Sequence, residues 1–234
     1  MAKTPKVKQA KGKRKRPFLI RLLRFVFQAH LWFWGVVAVL SLLYNFINPP
    51  ITPLMLSRWI EKGYPIRERS YINLEEIPKR TRNMIVSLED GNFYKHFGFE
   101  WNMVREAYER NQRAGGIRFG ASTISNQLAR TMFLTTHRNY FRKYLEIQVT
   151  VIMELLMSKN RMLELYLNYI EWGKGIYGIE TASLHYYGRS CANISRSQSM
   201  KLLAVITNPI KYNPHNYSRS ASARARYRML QRYY

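Results

Sequence analysis

The longest apolar stretch comes early: FVFQAHLWFWGVVAVLSLLYNFI, Phe25 to Ile47, contains no Asp, Glu, Lys or Arg. As a helix it would reach roughly 34 Å, enough to cross the hydrocarbon core of a bilayer. Gln28, His30 and Asn45 weaken the run towards its ends, and Trp32 and Trp34 are tolerated in a span. A cleaved signal peptide is the competing reading, but NPPITPL follows in place of a small-residue cleavage site. Pro49, Pro50 and Pro53 then make a stiff break, after which the periodicity is helical. Met84, Ile85, Val86 and Leu88 follow Pro78, a residue suited to a first helical turn. Ile124, Leu128 and Met132 mark a second helix, and Phe141, Tyr144, Leu145, Val151, Ile152 and Leu155 one side of a third. Ser158 caps a helix with Met162, Leu163, Tyr166 and Leu167. Gly173, Gly175 and Gly178 give a turn before a helix from about Ile179, and an Arg-rich helix after Pro214 is expected to end on the surface. Asn111 to Ala121 reads as a mobile, Gly-containing loop. No run alternates as a substantial sheet would, so the body is expected to be mostly helical.

Charge changes this picture. Among 234 residues there are 38 Lys and Arg against 14 Asp and Glu, a formal +24, which favours polyanionic partners. Ten of those cations fall within residues 1–24, with no acid among them. A basic flank before an apolar span orients the N-terminus towards the cytoplasm and the body outside. The expected organisation is a basic tail over 1–24, an anchor over 25–48, a linker leading into the body over 49–72, and a catalytic domain over 73–234. The single cysteine, Cys191, excludes internal disulfides and metal sites built on several thiolates.

Three segments carry candidate chemistry. In SLEDGNFYKHFG, the adjacent Glu89 and Asp90 stand at a helix end, about 100° apart, so one can face a cleft while the other binds local structure. Desolvation by an aromatic such as Phe93 would suit one of them to general-base work. The plain alternative is an exposed acidic pair with a structural His96. In GASTISNQLAR, the amides of a helix start, with Ser122, Gln127 and Arg130, could hold a phosphate, or the Ser and Thr could simply cap the helix. Arg138, Arg142 and Glu146 are spaced i, i+4, i+8, with Lys143 three before Glu146. Such a flank can neutralise a diphosphate, with Glu146 orienting a cation or ligating a metal ion, or it can be a solvated salt-bridged face.

In this order the segments resemble the peptidoglycan glycosyltransferase family, closest to its monofunctional biosynthetic members. Glu89-Asp90-x-x-Phe93-x-x-His96-x-Gly98, Gly120 to Gln127, Arg142-Lys143-x-x-Glu146, Lys159 to Asn168 and Gly175 to Arg189 match its five motifs in turn, and Asn208-Pro209 and Tyr212-Asn213-Pro214 its closing segment. Departures are Ala121, Asn126, Met162 and Arg189, with Arg130 where Lys is common; Asn126 is therefore left out of the site. The resemblance covers about residues 70 to 234. It implies an all-α, lysozyme-like fold with a small hydrophobic jaw dipping into the outer leaflet of the bacterial inner membrane. It further implies lipid II and the growing glycan as substrates. Glu89 would be the general base, and Arg130, Arg138, Arg142, Lys143 and Glu146 would stabilise the departing diphosphate. Ser122 and Gln127 would line the donor side. A divalent cation such as Mg or Mn, with Glu146 as its ligand, is an optional addition; no organic cofactor is expected. Membrane lipid and cell-wall synthesis or division proteins are the other expected partners, and nucleic acid is not one. Two rivals remain on the residues alone: a lysozyme-like hydrolase, and a non-enzymatic protein whose basic surface binds anionic lipid or nucleic acid.

Overall fold

The computed structural model describes residues 18–116, 120–135 and 139–234. Within them the chain forms ten α-helices and one small hairpin. Helix α1 (Phe18–Leu43) is long and apolar enough to cross a membrane. It begins earlier than the uncharged run, so Arg21 and Arg24 lie in its first two turns, where long basic side chains can reach a lipid–water interface. It also ends earlier, leaving Asn45 and Ile47 beyond its last turn.

Helix α2 (Pro53–Lys62) starts on Pro53, capped by Thr52, and stops at Gly63 in the left-handed region. The body follows: α3 (Lys79–Glu89), α4 (Trp101–Arg113), α5 (Ile124–Phe133), α6 (Tyr140–Leu156) and α7 (Lys159–Tyr169). A hairpin of β1 (Glu171–Gly173) and β2 (Ile176–Tyr177) leads to α8 (Ile179–Tyr187), α9 (Arg196–Ala204) and α10 (Ala221–Tyr233). Asn111, Gln112 and Arg113, assigned to a loop by composition, instead extend α4, whose last turns carry the ion pairs Glu106–Arg110 and Glu109–Arg113 at 3.4 Å. Residues 117–119 of that segment lie outside the described residues.

One hydrophobic core joins these elements, with Trp172, Tyr166, Tyr169, Tyr177 and Phe93 among its largest fully buried side chains. Helix α7 is its centre: buried on most of its surface, it packs on α5 and is stitched to residues 71–74. Asn168 exchanges hydrogen bonds with the backbone of Ile72, and Glu164 accepts from Leu74 N–H and Tyr71 Oη at 2.7 Å. Gly178, with φ +90°, follows: a Cβ there would lie 2.7 Å from the Asn168 carbonyl, so only glycine lets the hairpin close on α7.

Helix α6 has two partners. One side packs on α5; the other runs along α1. Trp34, His30 and Asn45 of this segment find partners here. Trp34 Nε1 donates to Gln148 Oε1 at 2.5 Å, His30 Nε2 and Tyr144 Oη lie 3.1 Å apart, and Asn45 Nδ2 donates to the Leu156 carbonyl at 2.9 Å. Hydrogen bonds between helices in lipid contribute about 0.6 kcal/mol on average and up to about 1.7. A double-mutant cycle of Trp34→Phe and Gln148→Leu, read by thermal unfolding in detergent, should accordingly give a coupling of about 0.5–1.5 kcal/mol. Additive effects would mean that the anchor is only a tether.

Candidate active site

Glu89 closes α3, and Asp90, its C-cap, leaves helical geometry; the two carboxylates diverge. Asp90 turns inward and is 1% exposed. Its Oδ2 accepts the Ile124 N–H at 3.0 Å, and His96 Nε2 lies 2.8 and 3.0 Å from its two oxygens. Facing a carboxylate, that imidazole nitrogen is the donor. Burial pushes the Asp90 carboxyl up, against the opposing pull of His96 and the Ile124 amide. Phe93, which the sequence allowed to back either acid, is on the Asp90 side: fully buried, with its ring against Tyr94 and His96 and beneath Lys159 Nζ at 4.6 Å.

Glu89 faces the other way. Gln127 Nε2 donates to its Oε2 at 2.9 Å, and Arg226 pairs with its Oε1. Tyr166, whose hydroxyl burial keeps protonated by raising it well above its ordinary range, donates to Gln127 Oε1 at 3.1 Å. That bond fixes the Gln127 amide, so its N–H₂ must point at Glu89. Arg226 was not foreseen. The helix after Pro214 does not simply end on the surface: α10 packs on α9 and carries Arg226 to Glu89. The available signal was its position, three after buried Ala223 and four before buried Leu230, on the stripe a helix turns to its core.

The start of α5 is occupied by protein. Thr123 and Asn126 form a capping box: Thr123 Oγ1 accepts the Asn126 N–H at 3.2 Å, and Asn126 Oδ1 the Thr123 N–H. With Ile124 N–H taken by Asp90, these amides are not free for a phosphate, and the capping alternative holds. Asn126 also donates to Thr150 Oγ1 at 3.0 Å, a structural role for the residue left out of the site. Ser122 is half-buried, and its carbonyl lies 3.4 Å from Gln127 Nε2.

The α6 cluster is compact. Glu146 is fully buried, with Arg142 Nη1 at 2.5 Å from one oxygen, Lys143 Nζ at 2.6 Å from the other, and Arg130 Nη1 of α5 at 4.0 Å. Helix α6 begins at Tyr140, capped by Asn139, and Arg138 lies outside the described residues. Both Glu146 oxygens face cations, and among the described residues no three His, Cys, Asp or Glu side chains converge. Lys143 and Arg130 keep 45% and 37% of their side chains exposed, whereas the carboxylate that gathers them is dry. A cavity of about 630 Å³ opens beside this cluster, bordered by Gln127, Arg130 and Arg142. Glu89 sits one hydrogen bond behind Gln127.

The Transglycosylase family model matches residues 58–233, three quarters of the chain. The chain belongs to the transglycosylase family. It is similar to the biosynthetic peptidoglycan transglycosylases of Pseudomonas putida, 37% identical over 88% of this chain and 89% of the relative, and of Pseudomonas aeruginosa, 36% identical over 90% and 93%. That of Dechloromonas aromatica is 37% identical over 83% and 84%. The transglycosylase domain is lysozyme-like and takes in every site residue above, Arg226 included, while α1 lies before the match.

In this transglycosylase, Asp90 accepts two hydrogen bonds that an amide cannot both replace. Asp90→Asn should lower unfolding stability by about 1–3 kcal/mol. Because the folded carboxyl titrates above its ordinary 3.8, its contribution is present below that value and lost as pH rises through the raised one. Chemical denaturation across pH 3–7 should therefore give a less negative slope for the variant than for wild type; parallel curves would refute the assignment.

Proposed function

We propose that this chain is a peptidoglycan glycosyltransferase that polymerises lipid II into glycan strands for cell-wall synthesis. The observation that carries the reading is a cavity bordered by Gln127, Arg130 and Arg142, with the carboxylate of Glu89 held behind Gln127 and the cation cluster gathered on Glu146. The names of the relatives support the substrate class.

The growing chain, still on its polyprenyl diphosphate, is the donor, and lipid II is the acceptor. Glu89 takes the proton of an acceptor sugar hydroxyl as that oxygen attacks the donor's anomeric carbon. The new C–O bond forms as the bond to diphosphate breaks, its electron pair leaves with the diphosphate, and one displacement inverts the anomeric centre. Gln127 and Arg226 hold the carboxylate in position beforehand. Charge accumulates on the leaving diphosphate, and Arg130, Arg138, Arg142 and Lys143 are the residues assigned to meet it. Glu146 fixes the reach of Arg142 and Lys143, and Ser122 borders the donor side. None of these steps is routed through a divalent cation.

The apolar length of α1 and the basic residues before it support a single-pass protein of the bacterial inner membrane, N-terminus cytoplasmic and catalytic body outside. Exposed Leu56, Trp59 and Ile60 on α2, ten residues past the end of α1, suit it to lie in the outer leaflet as part of the jaw.

The decisive assay follows fluorescent lipid II in detergent. Wild type should make glycan chains, and Glu89→Gln should slow them about 100-fold or more, the share expected of a general base. Glu146→Gln should also slow polymerisation, by about 10-fold or more, since Arg142 and Lys143 lose their shared anchor. Release of soluble fragments from preformed peptidoglycan, without consumption of lipid II, would replace this reading with the hydrolase.

A further inference from the structure

The first turn of α7 carries Arg161, whose side chain is 14% exposed and reaches back to the end of the anchor. Its Nε donates to the Tyr44 carbonyl at 2.6 Å, just past the last residue of α1. Nη2 donates to Asn48 Oδ1 at 2.7 Å and to the Ile47 carbonyl at 3.3 Å. Nη1 turns the other way, to Tyr71 Oη at 2.8 Å and to Glu164. Burial, with Glu164, pushes the Tyr71 hydroxyl up, so it stays protonated and donates to that carboxylate at 2.7 Å. All three guanidinium nitrogens are engaged, and their fixed planar fork suits carbonyls on one side and a carboxylate on the other. Water can satisfy carbonyls at a helix end, so what the arginine adds is position.

Two neighbours extend this bracket. Tyr169 Oη donates to the Pro49 carbonyl and Arg69 Nη1 to the Pro50 carbonyl, each at 2.8 Å. The stretch from Tyr44 to Pro50 is thus fastened to the body along its length. Five residues after Arg161, the same helix carries Tyr166, which fixes the Gln127 amide against Glu89. At about 1.5 Å of rise per residue, roughly 7–8 Å of α7 separates the hold on the anchor from the support of the proposed base.

A lipid-linked substrate gives that short path a use. Its tail holds the diphosphate at headgroup level, so the sugar hydroxyl beyond it is presented within a narrow range of heights above the bilayer. Glu89 has to be held at that height to take the proton. We propose that Arg161 is a positioning residue for the polymerisation reaction, bracketing the end of α1 to α7 and so setting Glu89 relative to the membrane. This rests on the lipid-linked substrate and the membrane span proposed above. Arg161 acts through α7 and not on the reacting atoms, so its effect is confined to substrate presented by a bilayer.

The test compares Arg161→Gln with wild type in two settings. In vesicles, the variant should turn over the full-length polyprenyl substrate about 10-fold or more slowly, whereas a short-chain, water-soluble analogue in detergent should react within about 3-fold of wild type. Equal losses in both settings assign Arg161 to folding alone and overturn the proposal; so does no loss in either. A second variant inserts Gly-Ser-Gly-Ser after Asn48, lengthening the covalent connection while leaving the Arg161 bonds to Tyr44, Ile47 and Asn48 in place. Its vesicle turnover should stay within about 3-fold of wild type, and a loss matching that of Arg161→Gln would show that the connection, not Arg161, sets the position. A readout without turnover uses nitroxides at Phe46→Cys and Arg228→Cys, both exposed positions, with buried Cys191 changed to Ser. The distance distribution between them, read by double electron–electron resonance, should be narrow in wild type and broaden in Arg161→Gln; an unchanged distribution overturns the bracket. Absence of turnover by wild type in both settings, with the broadening still seen, overturns the proposed function instead.

Discussion

The site depends on one buried carboxylate. Asp90 joins three pieces of backbone that the sequence leaves separate: the end of α3, the turn carrying His96, and the first amide of α5. A negative group at a helix N-terminus is favoured by the backbone dipole as well as by the hydrogen bond. With α3 and α5 locked end to end, Glu89 on one and Gln127 on the other fall within hydrogen-bond reach. Gly98 completes the joint: with φ +77°, its missing Cβ would lie 2.7 Å from the Thr150 methyl, so the turn closes on α6 only with glycine. Thr123 Oγ1 then bonds the Gly98 carbonyl at 2.7 Å. The buried one of the two neighbouring acids thus aims the other.

Electrostatically the site is two carboxylates of unlike surroundings. Glu89 is met by one amide and one guanidinium, both from other helices, so its geometry is set by tertiary packing. Glu146 is met mainly by cations of its own helix, so its cluster is local and is inherited with α6. The first arrangement can be retuned by shifting α10. In the second, the Arg142 and Lys143 pairs travel with α6, and only Arg130 depends on another helix. A reaction that moves a proton at one end and releases a multiply charged group at the other needs this division: a poised base, and a rigid field.

What could be read from residues alone follows the same line. The α6 cluster was legible because it is a matter of helical spacing, and the divergence of Glu89 from Asp90 because neighbours on a helix cannot share a direction. Which acid turned inward was not legible, since Phe93 seemed as able to cover one as the other. Arg226 and Arg161 escaped for a different reason. Each reaches a partner across more than a hundred residues, and among so many arginines local composition does not distinguish a buried one from a solvated one. The phosphate suggested for the α5 amides failed because the same small and polar residues that free a helix start can cap it.

Helix α6 presents its cations to the cavity on one side and hydrogen-bonds α1 on the other, so catalytic geometry and membrane geometry are fastened to the same rod. At 26 residues, α1 is roughly 39 Å long, but its uncharged part after Arg24 is roughly 28 Å, close to the ~30 Å hydrocarbon core, so in the proposed arrangement its lean is set by the helix it packs against. Any lean is handed to α6 and changes the height at which a departing diphosphate is received relative to the headgroups. In the proposed arrangement bilayer thickness would thereby become a variable of the reaction, felt through helix packing at the cation cluster.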